Sequence, residues 1–247
     1  MHQPVKRIVN GAPAGVIFIH GILGTPRFFD DLADAVPPDW SVMNLLLPGH
    51  GGTVTDFGRV RRGEWEHCVE NAIDEMAQSH SRVYLVGHSM GALISILAAV
   101  RQPERIAGMI LMAVPLRLAL KPSAVLRNIL KGVGLGESPE ELARYYGTAQ
   151  DWRIWRYIPW IPRYLELFSL CRRARQALPA LQRPARAFMH GRDELVSRRS
   201  CNLLADCPAV TLTMLPDSMH HTLHPRDKAA LCDAIRALGD EPSGGCA

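Results

Sequence analysis

The sequence predicts an α/β fold, a mostly parallel central sheet flanked by helices. Three observations carry this reading. Six short apolar runs recur along the chain, and each stops at a Gly or a Pro. The runs are continuously apolar rather than alternating, as strands buried on both faces of a parallel sheet are. Helical patterns lie between many of them, which implies right-handed crossovers.

In order, residues 16–20 (VIFIH) stop at Gly21, and 26–35 carry Phe28, Phe29, Leu32 and Ala35 at helical spacing. Residues 42–47 (VMNLLL) stop at Pro48-Gly49. Residues 64–79 set Trp65, Cys68, Val69, Ala72, Ile73 and Met76 on one helical stripe. Residues 82–86 (RVYLV) stop at Gly87, and 90–101 are apolar all round, so this helix should be fully buried. The runs 106–114, 185–190 and 210–215 end at Pro115, Gly191 and Pro216, and the last helix spans 227–238. The tail (GDEPSGGCA) is expected to be disordered.

A chain of 247 residues is one domain with room for an insertion. Its 47% hydrophobic and 21% charged residues exclude a disordered, fibrous or disulfide-stapled protein. The net charge of +4 does not argue for nucleic acid. Six scattered cysteines form no C-x-x-C pair or zinc spacing, so reduced thiols are expected. The N-terminus lacks the apolar stretch of a secretory signal. The longest apolar stretch, 109–120, is broken by Pro115 and Arg117 and is too short to span a bilayer. A cytoplasmic protein without stable membrane insertion is the expectation.

Residues 116–182 break the alternation. They show no convincing strand and carry 11 basic against 5 acidic residues, with three of the five tryptophans. This reads as a helical cap (lid) at 116–182, inserted into a core made of 1–115 and 183–247.

The chemistry centres on Gly87-His88-Ser89-Met90-Gly91. This G-x-S-x-G follows an apolar strand and opens an apolar helix, the setting in which a serine hydroxyl is exposed on a tight turn. The glycines remove side chains that would clash there. The Met90 N–H, at the helix start, is free to bind an oxyanion. A serine needs a base, and the base an orienting acid. Such partners belong at the C-terminal ends of later strands. Asp193 follows 185–190, with Glu194 as its competitor. Three histidines follow 210–215; His220 is the chosen base, His221 its competitor, and His224 begins the next helix. No thiolates and no H-E-x-x-H accompany them, so no metal is expected. A second oxyanion donor, the N–H of Ile22, sits in His20-Gly21-Ile22-Leu23-Gly24. His20 and His50 are read as structural.

These residues resemble the α/β-hydrolase family. The resemblance runs through HGILG (20–24), LPGHG (47–51), GHSMG (87–91), GRDELV (191–196) and SMHHTLH (218–224), and is nearest to the bacterial carboxylesterase and monoacylglycerol lipase branch. It implies the order Ser89, Asp193, His220 of that fold. Ser218-Met219-His220 fits the branch's S-x-H, and Gly191-Arg192-Asp193 its G-x-D turn. It also implies a cap where 116–182 lies. Met219 is bulkier than usual, His221 replaces an apolar residue, the cap is unusually basic, and the N-terminal hairpin is short or absent.

The expected function is therefore hydrolysis of carboxylic esters through an acyl-enzyme, with no cofactor. The aromatic, basic cap points to a small-molecule ester with an apolar acyl group, presented in solution or at an interface. Thioesterase, C–C hydrolase or acyltransferase chemistry on the same triad is the alternative, and a catalytically silent ligand-binding module is the other class.

Overall fold

The computed structural model describes residues 2–119 and 153–239. Among them, seven strands form one sheet: β1 (Val5–Arg7), β2 (Gly15–Ile19), β3 (Ser41–Asn44), β4 (Val83–His88), β5 (Gly108–Met112), β6 (Ala185–His190) and β7 (Val210–Leu215). Their order is β1-β3-β2-β4-β5-β6-β7. β1 is antiparallel to β3, and every other pairing is parallel. The register sets Ile19 beside Gly87, His88 beside Met112, and His190 beside Leu215, so the C-terminal ends of these strands share one rim.

The described helices are α1 (Asp30–Ala33), entered through a 3-10 turn at Pro26–Phe29, α2 (Val54–Arg59), α3 (Arg62–Ala77), α4 (Met90–Arg101), α5 (Ile161–Ala177), α6 (Arg199–Ala205) and α7 (Pro225–Arg236). Period-2 alternation sends successive strand residues to opposite faces. Val16, Phe18, Val86 and Ile110 meet α1 and α7 on one face. Ile17, Ile19, Leu85 and Leu111 meet α3, α4, α5 and α6 on the other. Ten successive residues of α4, Met90 to Ala99, are buried, as its all-round apolarity predicts.

All six expected strands are present. β1 escaped because Val-Lys-Arg is fully exposed and carries no apolar run. It is a single three-residue strand at the sheet edge, paired with β3. α2 and α6 were also missed, being too short for a periodic signal. The start of α2 has a readable signature nonetheless: the Thr53 hydroxyl accepts from the Asp56 N–H (3.4 Å), and the Asp56 carboxylate accepts from the Thr53 N–H (2.7 Å).

Much of the expected cap, 120–152, lies outside the described residues, as does the tail beyond Gly239. In the remainder, Leu118 makes an isolated antiparallel bridge to Val196. α5 lies against α4, with Leu167, Leu170 and Ala174 buried in the core. At its start, the Trp160 indole donates to the Val54 carbonyl (2.8 Å) and Arg163 to the Gly58 carbonyl (2.7 Å), seating the segment on α2.

One ionic cluster ties three helices together. The buried Glu66 carboxylate of α3 accepts a two-pronged bond from Arg173 of α5 (2.6 and 2.9 Å), with Arg101 of α4 at 3.2 Å and Arg62 at 3.1 Å. Burial pushes this carboxyl up, but the Arg173 hydrogen bonds and the three guanidinium charges outweigh it, so it sits below its ordinary value. A carboxylate lowered in this way stabilises the fold above its unfolded pKa, and that contribution fades as pH falls through the folded pKa. Glu66→Gln is therefore expected to cost about 1–3 kcal/mol at neutral pH. Urea unfolding should show this difference shrink at an acid pH below the folded pKa of Glu66, where the carboxyl is protonated. An equal loss at both pH values would mean that packing, and not charge, carries the cluster.

Candidate active site

The site is built at the rim where β2, β4, β6 and β7 end. Ser89 joins β4 to α4 with φ 53° and ψ −115°, outside the regions an L-residue prefers. Such strain costs roughly 1–3 kcal/mol and persists only where its surroundings enforce it. Here they do. A Cβ on Gly91 would stand 2.0 Å from the Ile19 carbonyl oxygen, and one on Gly87 2.7 Å from the backbone of Ala92. Only glycines let α4 press this closely on β2 and β4. The Ser89 N–H is held by the Met112 carbonyl (2.9 Å). Leu23 (φ 57°) and Ala113 (φ 48°) are the other described non-glycine residues with positive φ, and each follows a strand ending at this rim.

The structure brings the predicted trio together. The Ser89 Oγ lies 3.0 Å from His220 Nε2, and His220 Nδ1 lies 2.8 Å from Asp193 Oδ2. With Nδ1–H donated to the carboxylate, the neutral ring presents Nε2 as an acceptor to the serine hydroxyl. The other Asp193 oxygen accepts from the N–H groups of Leu195 and Val196, both at 2.8 Å. Burial pushes the Asp193 carboxyl up, but His220 and these two N–H groups more than offset it and hold it below the usual aspartate value. Asp193 thus stays charged in a dry site.

The competitors fall elsewhere. The carboxylate bonded to His220 belongs to Asp193 and not to Glu194, and the ring nitrogen beside Ser89 belongs to His220. The His221 ring stands edge-on to that of His220, 4.6 Å away. His224 caps α7, accepting from the Arg226 N–H (3.4 Å).

The loop after β2 approaches Ser89 closely: a Cβ on Gly21 would meet the Ser89 Cβ at 3.0 Å. Its turn uses the Leu23 N–H on His50 Nε2 (3.0 Å) and the Gly24 N–H on the Gly21 carbonyl (3.0 Å). Among the described residues, none accepts from the N–H of Ile22. The Met90 N–H opens α4 and has no intrahelical acceptor. His20 and His50 brace this loop. His20 Nδ1–H donates to the Gly21 carbonyl (2.8 Å), and its Nε2 accepts from the Leu47 N–H (3.0 Å). Burial holds His20 well below its ordinary pKa and pulls His50 down to about 4, so both are neutral.

Sequence reasoning missed what supports the loop that carries His220. Buried Asp227 of α7 accepts from the Ser218 hydroxyl (2.6 Å) and from the Asp217 N–H (3.1 Å), while Ser218 Oγ accepts from the His224 N–H (3.1 Å). The Ser of Ser218-Met219-His220 was the available signal. No three His, Cys, Asp or Glu side chains among the described residues are grouped to hold a metal.

Asp227→Ala leaves the Ser218 hydroxyl and the Asp217 N–H without their acceptor, at an expected cost of about 1–3 kcal/mol. Native-state hydrogen exchange should then accelerate across 216–224 and leave β4 unchanged. Unaltered exchange in that loop would mean Asp227 does not anchor it.

Comparison with known proteins agrees with this architecture. The family model described as "Alpha/beta hydrolase family" matches residues 16–234. A thermostable monoacylglycerol lipase of Bacillus sp. (strain H-257) is 31% identical over 134 residues, which cover 54% of this chain and 50% of that protein. The rat monoglyceride lipase is 28% identical over 87% of this chain and 78% of its own length. Among solved structures, one of the metagenome-derived lipolytic enzymes LipS and LipT superposes with a TM-score of 0.74 at 20% identity, over 97% of this chain and 98% of its own. The chain thus belongs to the alpha/beta hydrolase family and resembles its monoacylglycerol lipase branch.

Proposed function

We propose that this carboxylic ester hydrolase works through an acyl-enzyme formed on Ser89, with His220 as base and then acid, and Asp193 as the orienting carboxylate. The continuous hydrogen-bonded path from Ser89 Oγ through His220 to Asp193 carries the reading. Nε2 of His220 takes the hydroxyl proton as Oγ attacks the ester carbonyl. The resulting imidazolium is stabilised by ionised Asp193. The carbonyl oxygen becomes an oxyanion, which the N–H groups of Ile22 and Met90 receive. As the tetrahedral adduct collapses, His220 returns the proton to the departing alcohol. A water molecule then repeats the cycle and releases the acid.

The substrate we assign is an ester with an apolar acyl chain, of the monoacylglycerol kind. The names of the relatives support this. So does the exposed apolar surface of Ile158, Ile161, Leu165 and Phe168. We read 116–182 as a cap, with α5 as its foot on α4. No described helix is long and apolar enough to cross a membrane.

Ser89→Ala should reduce turnover of a p-nitrophenyl ester by roughly 10⁴–10⁶-fold, and Asp193→Asn by roughly 10³–10⁴-fold. Wild-type turnover by Ser89→Ala would refute the acyl-enzyme. A series of esters from acetyl to palmitoyl should peak well beyond acetyl, and an acetyl-only profile would remove the apolar-chain assignment.

A further inference from the structure

The proposed reaction uses one imidazole of a cluster. The His88 ring, at the end of β4, lies 5.1 Å from that of His220 and 6.1 Å from that of His190, at the end of β6. Neither has a part in the chemistry above. We propose that His88 and His190 are a pair of positioning residues, gripping consecutive backbone carbonyls of the base loop so that the His220 ring stays between Ser89 and Asp193. The inference rests on the acyl-enzyme reading of the preceding subsection.

The geometry is specific. His88 Nε2 lies 2.9 Å from the His220 carbonyl oxygen, and His190 Nδ1 lies 2.7 Å from the Met219 carbonyl oxygen. A carbonyl only accepts, so each of these nitrogens carries the hydrogen. The Ser218 carbonyl, next in line, accepts from the Arg192 N–H (3.1 Å). Three consecutive carbonyls of the loop are thus held from outside. The loop's own turn, Met219 N–H to the Thr222 carbonyl (2.9 Å), completes its restraint.

The attachment points matter as much as the bonds. His88 immediately precedes Ser89, and His190 lies three residues before Asp193. The base loop is therefore fastened to the nucleophile's strand by one imidazole and to the acid's strand by the other. A displacement of His220 from either partner must stretch one of these bonds.

Neither ring is explained by packing alone. Phe28 stacks on His88 with centroids 4.3 Å apart, which fixes its plane. His190 is 5% exposed, and its Nε2 is buried without a partner among the described residues. An unpaired buried acceptor costs about 1–3 kcal/mol, which an apolar side chain of similar size would avoid. What an apolar side chain cannot supply is the Nδ1–H. Burial, reinforced by the neighbouring His220, lowers His190 to about 4 and His88 well below its ordinary value, so each ring keeps a single hydrogen.

The two rings donate from different atoms, and this yields a test that a packing role would fail. A glutamine amide nitrogen occupies the reach of Nε2, and an asparagine amide nitrogen that of Nδ1. His88→Leu and His190→Leu should each lower kcat about 10–100-fold with KM within about twofold. His88→Gln and His190→Asn should recover most of the loss, whereas the exchanged pair, His88→Asn and His190→Gln, should not. Thermal melts of all six variants identify any that fail to fold, and the comparison is made among the folded ones. The low-field proton resonance of the His220–Asp193 hydrogen bond should broaden or shift in the Leu variants and return in the two matched amides. Wild-type kcat in the Leu variants, or equal activity in matched and exchanged amides, would overturn the proposal. Failure of the acyl-enzyme reading shows separately, as activity retained by Ser89→Ala.

Discussion

Everything at this site depends on how closely α4 sits against the ends of β2 and β4. With a Cβ on Gly91 only 2.0 Å from the Ile19 carbonyl oxygen, no other residue fits there without moving the helix. That approach bends the chain sharply at Ser89, lifts its side chain above the sheet and turns the first N–H of α4 towards the same space. The loop after β2 must then pass beside Ser89, and Gly21 permits it. The strained φ of Ser89 is enforced by buried apolar residues on both sides of the turn. Ten buried residues of α4 on one side and the wholly buried strand β4 on the other make relaxation more costly than the strain itself.

Much of this was legible in the sequence because the physics is local. A strand buried on both faces must be apolar, and a tight turn must contain glycine, so the runs around 16–20, 82–86 and 185–190 and the motif at 87–91 announce themselves. Chain order and strand ends point to Ser89, Asp193 and His220 as side chains that meet at one rim. The illegible parts are those whose reason lies across the fold. β1 is exposed and has only its pairing with β3 to define it. Asp227 looks like an ordinary helix residue until α7 packs beside the base loop. Nothing near His88 or His190 in sequence shows that both meet carbonyls some 30 to 130 residues away. The Leu195 and Val196 N–H groups that hold the Asp193 carboxylate are likewise aligned only in the folded turn.

Four buried histidines near the site hold different backbone groups of its two loops. In the loop after β2, His20 and His50 present Nε2 as acceptors to the N–H groups of Leu47 and Leu23. They occupy N–H groups on either side of the loop, while that of Ile22 has no acceptor among the described residues. In the base loop, His88 and His190 present donors to the carbonyls of His220 and Met219. Each of those carbonyl dipoles is thus engaged by a ring hydrogen.

A neutral imidazole is well suited to both tasks, because it carries one donor and one acceptor on opposite sides of a rigid ring. A charged lysine or arginine could supply the donors but would bring an uncompensated charge into a site with low exposure, at a prohibitive desolvation cost. A hydroxyl could do either, but with a rotor that must be ordered. Burial lowers the pKa of these rings and keeps each of them neutral, so their hydrogen-bond pattern is fixed. The rings of His20, His50, His88 and His190 therefore add no charge around the path from Ser89 through His220 to Asp193.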